Sequence, residues 1–399
     1  MDNNPVGRAA TAASFVARTT PVVPPIYQSA TFLLDDAAYA DVQAGGLHET
    51  WYSRFSNPTV MAAAEEVRRR ERAQAALLAS SGMAAIATTL LTLVRAGERI
   101  VAARELYGDT RDLLGRDLPA LGIQVDLVDV TDPGAWRAAL AAGPAVVAYA
   151  ESLSNPQLKL LDVPVIAGLA HAAGARLVVD NTFASPYLLR PLEYGADLVV
   201  ESATKYLSGH SDVIAGAVAG PAGLVEEVQR RIITFGGCLD PHAAFLVWRG
   251  LQTFEVRLAR QNDTAAALAA YLAGRPDITE VIYPGLASHP QHALACGLLE
   301  GGRGGAMVTF VVDGGDERAL GVMRQLRVAC EATSLGGVET LASTPFNSSH
   351  FSLSAAQREA AGIMPGMIRL SAGVEPPQDI IADLAQALDA CPAALPSPS

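Results

Sequence analysis

Two short apolar runs near the middle of the chain each end in residues that can do chemistry. Arg176–Val179 is followed by Asp180-Asn181, and Leu198–Val200 by Glu201-Ser202-Ala203-Thr204-Lys205. In open α/β sheets, ligands bind beyond the carboxyl ends of the strands, which is where both polar groups fall. Of the 29 Lys and Arg residues, only Lys159 and Lys205 are lysines. Arginine keeps its proton and forms no imine, whereas a lysine amine does so once deprotonated. An acid at one strand end and a lysine at the next suit pyridoxal phosphate. The lysine would hold its aldehyde as a Schiff base, and the carboxylate would keep the pyridine nitrogen protonated. The competing reading is a coding bias against lysine, with Lys205 merely snorkelling outward.

Other strand ends carry polar punctuation as well. Ala76–Ala79 leads into Ser80-Ser81-Gly82-Met83, which opens an apolar helix over Ala84–Val94. Small residues at a helix N-terminus expose N–H groups to an anion such as phosphate, although the same turn also makes an ordinary N-cap. After Arg99–Ala102 comes Glu105-Leu106-Tyr107-Gly108-Asp109-Thr110, and after Ala145–Ala150 comes Glu151-Ser152-Leu153-Ser154-Asn155-Pro156. The chain has no G-x-x-x-x-G-K-[ST], and no G-x-G-x-x-G follows its first strand. A nucleoside triphosphate and a dinucleotide are therefore disfavoured. No G-x-S-x-G nucleophile elbow is present either. So many polar strand ends at one sheet edge point to a compact anionic cofactor.

Positioning these residues requires a large sheet. Candidate strands at Ala76–Ala79, Arg99–Ala102, Gln124–Val130, Ala145–Ala150, Arg176–Val179, Leu198–Val200 and Val213–Ala219 alternate with helical stretches such as Met61–Ala73 and Pro164–Ala173. That alternation predicts a seven-stranded, mainly parallel α/β sheet covered on both faces. Residues 1–56 read as an extended N-terminal arm. They are proline-rich at TTPVVPPIYQSATF and aromatic around Trp51, Tyr52 and Phe55, a composition suited to lying on a neighbouring subunit. Residues 57–250 read as the cofactor-binding domain and 251–399 as a smaller α+β domain. The latter holds a helical run over Leu251–Leu272, strands at Val281–Tyr283, Ala306–Val312, Val328–Cys330 and Met367–Ser371, and a last helix after Pro376-Pro377. The tail from Pro392 to Ser399 is expected to be disordered.

At 399 residues, half of them apolar and with a net charge of −12, the composition disfavours nucleic acid and anionic membranes as partners. Four scattered cysteines, Cys238, Cys296, Cys330 and Cys391, form no C-x-x-C pair. They suit reduced thiols in the cytoplasm and no metal site. The N-terminus shows no signal-peptide pattern, and the uncharged Ala73–Val94 run contains too many polar residues for a bilayer span. Arg369 lies in an apolar run, Met-Ile-Arg-Leu, where an unpaired charge is costly, so a carboxylate partner or ligand is expected. Lys159, after a proline turn, reads as an exposed surface lysine.

The stretches PPIYQSATF, WYSRFSNPT, SSGMAAI, ELYGDT, ESLSNP, VVDNTFASPYLLRPLEYGADLVVESATKYLSGHSD, DPHAAFLVWRGLQT, SLGGVETL and MIRLSAGVE occur in that order. Together they resemble the Cys/Met-metabolism family of pyridoxal-phosphate enzymes, from about residue 21 to 375. The resemblance implies an aminotransferase-like, fold type I architecture and pyridoxal 5'-phosphate as cofactor. It also implies a homotetramer, a dimer of dimers with shared sites. It makes Lys205 the Schiff-base lysine and proton carrier and Asp180 the partner of the pyridinium nitrogen. Ser202 and Thr204, with the N–H groups of Gly82 and Met83, would hold the phosphate. Tyr107 would stack on the ring and exchange protons, and Asn155 would bond the phenolic oxygen of the cofactor. Tyr52 and Arg54 would reach the phosphate of a neighbouring subunit. Arg369 would clamp the substrate carboxylate, and Ser334 would orient the substrate.

Three departures bear on the reaction. Asp109 stands where methionine γ-lyases of this family carry a cysteine, and Ile232-Ile233 replaces their Lys-Asp pair. Thr333 stands where cystathionine enzymes carry a glutamate. The resemblance, so qualified, implies γ-elimination on methionine, homocysteine or a related thioether, giving a thiol, 2-oxobutyrate and ammonia. The alternatives are a cystathionine γ-lyase or γ-synthase and, more remotely, a catalytically silent oligomeric scaffold, which would show decay at the site.

Overall fold

The computed structural model describes residues 21–44, 51–348 and 354–392. Most of the C-terminal tail singled out above, and the first 20 residues of the arm, lie outside the described residues. Seven strands form the larger sheet: β1 (Ala75–Ala79), β2 (Arg99–Ala103), β3 (Gln124–Val128), β4 (Val147–Glu151), β5 (Arg176–Asp180), β6 (Leu198–Glu201) and β7 (Gly216–Gly220). Their order is β1-β7-β6-β5-β4-β2-β3. The run from β6 to β3 is parallel, and β7 alone lies antiparallel to both its neighbours. Strands β2, β4, β6 and β7 are buried along their whole length, because helices cover both faces; this is why they read as unbroken apolar runs. The α/β architecture with a mainly parallel sheet is as expected.

The parallel register brings the strand ends together. Glu151 pairs in register with Asp180, and Asp180 with Val200, one residue before Glu201. Three acidic side chains thus stand along one edge.

The second sheet has the order β10-β11-β12-β9-β8, with β8 at Ile278–Ile282, β9 at Met307–Val312, β10 at Cys330–Glu331, β11 at Leu341–Ser343 and β12 at Met367–Ser371. Strand β11 escapes the sequence, since Leu-Ala-Ser is too short to show a period. Strands β7, β8 and β10 begin or end a few residues from their expected bounds. The helix expected over Leu251–Leu272 is Phe254–Ala273, and the break at Gln252-Thr253 separates it from a preceding helix, Pro241–Leu251. The helix expected from Met61 begins at Pro58, because Asn57 caps it by accepting from the Thr59 N–H, with proline at the first helical position. In the arm, residues 21–32 contain no helix, but a helix not foreseen covers Asp36–Gln43.

The loop that carries Lys205 is gripped from behind. Arg257, buried in the Phe254–Ala273 helix, donates to the Tyr206 carbonyl at 3.1 Å and the Gly250 carbonyl at 2.9 Å. Gly209 adopts φ +70°, and a Cβ there would lie 1.8 Å from Arg257 Nη1. A Cβ at Gly250 would lie 2.0 Å from the Ser208 carbonyl oxygen, so only glycine lets the Pro241–Leu251 helix approach the loop this closely. Apolar side chains including Tyr206, Leu207, Phe254 and Leu258 fill the space between. No helix among the described residues is long and apolar enough to cross a membrane.

Candidate active site

A cavity of about 510 Å³ opens at the carboxyl edge of the first sheet, facing the second. Its floor comes from the strand ends: Glu151 as the last residue of β4, Asp180 as the last of β5, and Ser202, Thr204 and Lys205 after β6. Gly82 and Met83 enter from the start of the Gly82–Leu93 helix, Tyr107 from the loop after β2, and Asn155 from the loop after β4. The far wall is Thr333, Ser334 and Arg369. Ten of the twelve residues singled out by the sequence meet here.

Tyr52 and Arg54 do not. Arg54 lines a separate, larger groove of about 810 Å³ between residues 53–58 and the Ala222–Phe235 helix, and Tyr52 lies outside the lining of both cavities. Arg54 donates to the Ile233 carbonyl at 3.0 Å, and its guanidinium lies 5.4 Å from the Tyr52 ring centroid. The Ile232-Ile233 departure sits at this groove. Lys205 and the strand-end carboxylates are absent from its lining, so size does not make it the chemical site.

Lys205 Nζ donates to Ser334 Oγ at 2.7 Å. Burial, with the neighbouring Arg369 charge, brings its amine down to about 8. Ser334 is held at φ +84°, a conformation costing a non-glycine residue on the order of 1–3 kcal/mol. It thereby serves both cations, since its hydroxyl takes Lys205 and its carbonyl accepts from Arg369 Nη2 at 2.8 Å. Arg369 Nη1 donates to Asn155 Oδ1 at 3.0 Å, while Nε is buried without a partner. Burial lowers this guanidinium to about 10. No carboxylate among the described residues pairs with it, which leaves this buried charge able to take a carboxylate from a ligand.

Asp180 is buried and, among the described residues, equally short of an opposite charge. Its Oδ1 accepts from the Thr182 N–H at 3.0 Å and hydroxyl at 2.6 Å, and its Oδ2 from the Tyr149 hydroxyl at 3.4 Å. Burial raises its pKa against these bonds. Thr182 Oγ1 also accepts from the Ser202 N–H at 2.8 Å, tying the ends of β5 and β6 together. Glu151, pushed well up by burial and the Asp180 charge, accepts from the Tyr107 N–H. The Thr204 hydroxyl is engaged with the Ala215 backbone, donating at 3.2 Å and accepting at 3.0 Å. Gly82 faces Ser202 so closely that a Cβ would lie 2.8 Å from Ser202 Cβ.

Tyr149, Glu151, Thr182 and Arg257 are supporting residues that the sequence reading did not assign. Tyr149 is hidden inside an apolar strand, Glu151 passes for part of a turn, and Arg257 has no local signal. Thr182 could have been found as the residue two beyond an aspartate, the spacing at which side-chain-to-backbone bonds form. Lys159 is not the free surface lysine expected. It is half-buried, with Nζ 2.7 Å from Glu105 Oε1 and 3.6 Å from Asp129 Oδ2, drawn in by two carboxylates.

Residues 10–389 match the family model for Cys/Met metabolism PLP-dependent enzymes. The chain belongs to that family. It is 40% identical over 372 residues to the L-methionine gamma-lyase of Pseudomonas putida, covering 92% of this chain and 93% of that one. Among solved structures, the cystathionine gamma synthase of Xanthomonas oryzae pv. oryzae in complex with cystathionine is similar with TM-score 0.88 and 36% identity. It covers 96% of this chain and 98% of its own. The cystathionine gamma lyase CalE6 of Micromonospora echinospora is similar with TM-score 0.87 and 38% identity, covering 94% and 95%. The fold is that of the type I pyridoxal-phosphate enzymes, and the cofactor is pyridoxal phosphate.

The cavity fits that cofactor on its own terms. It has a lysine with a lowered pKa for the aldehyde, and a buried carboxylate without a cation for the ring nitrogen. The helix that starts at Gly82, with Ser81 capping the Ala84 N–H, presents its N-terminus beside Ser202 for the phosphate. The neutral amine is the form that attacks an aldehyde, and it exists above the lysine pKa. Pyridoxal-phosphate uptake by the apoenzyme, followed by absorbance, should therefore rise with pH through a midpoint near 8, against about 10.4 for an ordinary lysine. Arg369→Leu removes a like charge and should move that midpoint upward. A wild-type midpoint near 10 would contradict this account of Lys205.

Proposed function

We propose that the chain catalyses γ-elimination on a sulfur amino acid of the methionine or homocysteine type, releasing a thiol, 2-oxobutyrate and ammonia. The observation that carries this reading is the far wall. There the residue before Ser334 is the uncharged Thr333, and Ile86, Leu153, Ile214 and Leu335 also line the cavity. Such a wall suits an uncharged thioether better than a second amino-acid head. The 40% identity to a protein named L-methionine gamma-lyase supports the same choice.

Pyridoxal phosphate supplies an aldehyde for the substrate amine and a ring that accepts electrons from the substrate carbons. In this reading Gly82, Met83, Ser202 and Thr204 hold its phosphate, Asp180 its ring nitrogen and Asn155 its phenolic oxygen, while Tyr107 covers the ring. Arg369 takes the substrate α-carboxylate in place of the missing anion, with Asn155 and the Ser334 carbonyl fixing its plane. Lys205 Nζ, oriented by Ser334 Oγ, takes the proton from substrate Cα and then serves Cβ, so that sulfur can leave from Cγ. The lowered amine pKa brings Lys205 close to neutrality, where a general base works best.

The second reading is a cystathionine γ-lyase or γ-synthase, favoured by the likeness to solved enzymes so named. Incubation with methionine, homocysteine, cystathionine, or an acyl-homoserine plus cysteine separates the two. Methanethiol and 2-oxobutyrate from methionine are expected; cystathionine formation alone would replace the first reading with the second.

We also infer that the site is completed by a second copy, in a dimer within a tetramer, and that the enzyme works in the cytoplasm. Tyr52 and Arg54 lie outside their own chain's cavity. Val22, Leu33 and Tyr39 of the arm are apolar and exposed in the single chain. Mixing Lys205→Ala with Arg54→Ala subunits should restore activity above either parent. Mixed oligomers no better than the parents would argue against a shared site.

A further inference from the structure

Lys159 is the only charged residue from Ser152 to Leu161, the loop that follows β4 and carries Asn155. Its ammonium reaches out of that loop to its two neighbours. Nζ donates to Glu105 Oε1 at 2.7 Å, in the loop after β2, and lies 3.6 Å from Asp129 Oδ2, in the loop after β3. Strands β4, β2 and β3 are consecutive in the sheet, so one side chain spans three strand ends. Glu105 accepts from the Val130 N–H at 3.1 Å with its other oxygen, and it stands two residues before Tyr107. The Glu105 side chain is 11% exposed, so water screens this pair only in part.

The loop that Lys159 anchors is strained. Leu158 is buried at φ +51°, a conformation that a residue with a Cβ keeps only where its surroundings hold it. Two bonds close the turn around it: the Ser154 N–H donates to the Lys159 carbonyl at 3.0 Å, and the Lys159 N–H to Ser154 Oγ at 3.1 Å. Neutral bonds tie the loop to the rest of the chain on its other side. The Thr309 hydroxyl of β9 donates to the Pro156 carbonyl at 2.7 Å. Gln291 accepts from the Leu160 N–H at 2.9 Å and donates to its carbonyl at 2.8 Å. Asn155 stands inside this turn, its Oδ1 accepting from Arg369 Nη1 at 3.0 Å.

We propose that Lys159 is a positioning residue: by tying the strained loop to Glu105 it fixes Asn155, and through Asn155 the plane of the Arg369 guanidinium that receives the substrate carboxylate. Lys159 is absent from the cavity lining, so it acts only through the loop. Without its ammonium, Glu105 keeps a backbone N–H but loses its cation, and the loop loses its charged link to the strand ends beside it. Leu158 then relaxes, and the Asn155 amide leaves Arg369. The proposal rests on the reading of Arg369 given above and is independent of which bond the enzyme breaks.

The test compares two ligands on the holoenzyme, each followed through the change it makes in the cofactor absorbance. Norleucine has the shape of methionine with CH2 in place of sulfur, so it binds without a bond to break. Pentylamine is the same chain without the carboxylate. Lys159→Met should weaken norleucine about tenfold, the scale of one hydrogen bond to a charged group, and leave pentylamine within about twofold. Lys159→Arg keeps the charge and should recover most of the norleucine affinity. Glu105→Gln cuts the same link while retaining both lysines; it should match Lys159→Met, and the double variant should be no worse than either. Norleucine binding unchanged in Lys159→Met and Glu105→Gln overturns the proposal. Equal weakening of both ligands also overturns it, since that marks a general loss of the site. Arg369→Leu separates the proposal from the reading beneath it. If that variant binds norleucine as the wild type does, the carboxylate role of Arg369 falls and the proposal with it. If it binds norleucine weakly while Lys159→Met does not, only the proposal falls.

Discussion

Lys205 and Arg369 are two cations enclosed in one cavity without an anion of their own, and the rest of the site is arranged around that unfavourable placement. Water is the cheapest partner for an ammonium or a guanidinium, and removing it costs several kcal/mol per ion even after relaxation. The chain answers with neutral acceptors: the Ser334 hydroxyl for Lys205, and the Ser334 carbonyl and Asn155 amide oxygen for Arg369. These acceptors orient both groups without neutralising them. Lys205 gives up part of its basicity as a result, and Arg369 keeps a buried Nε with nothing to bond. The same arrangement that is costly for the empty chain makes it receptive to an aldehyde and a carboxylate.

The opposite imbalance stands on the sheet edge. Asp180 and Glu151 are buried acids without cations, brought side by side by the parallel register of β4 and β5. Tyr149 and Thr182 donate to Asp180, so that it accepts at defined positions. A cofactor carrying a protonated ring nitrogen and an electrophilic aldehyde matches the anionic floor and the amine beside it. The grip of Arg257, Gly209 and Gly250 on the Lys205 loop keeps these two halves in register.

The strand ends were legible because burial on both faces leaves apolar runs whose polar terminators stand out: Asp180, Ser202, Thr204 and Lys205 could be read from the chain alone. Arg369 was legible for the complementary reason, a charge inside an apolar strand. The supporting residues were not, because Arg257 acts across a helix packing that no local pattern encodes, and Tyr149 looks like core. Strand β11 and the break at Gln252-Thr253 were lost because three-residue strands and two-residue interruptions fall below the length at which periodicity speaks. Lys159 was misplaced for a similar reason: its partners Glu105 and Asp129 lie far away in sequence, and only the fold brings them to it. Tyr52 and Arg54 belong to a further class, since their expected partner is another copy of the chain.

With only two lysines in the chain, the central claim reduces to a choice between two peptides. Purified holoenzyme reduced with borohydride, digested and mapped by mass spectrometry should carry the pyridoxyl phosphate adduct on Lys205, and Lys205→Ala should carry none. An adduct on Lys159, or an unchanged yellow absorbance in Lys205→Ala, would contradict the account.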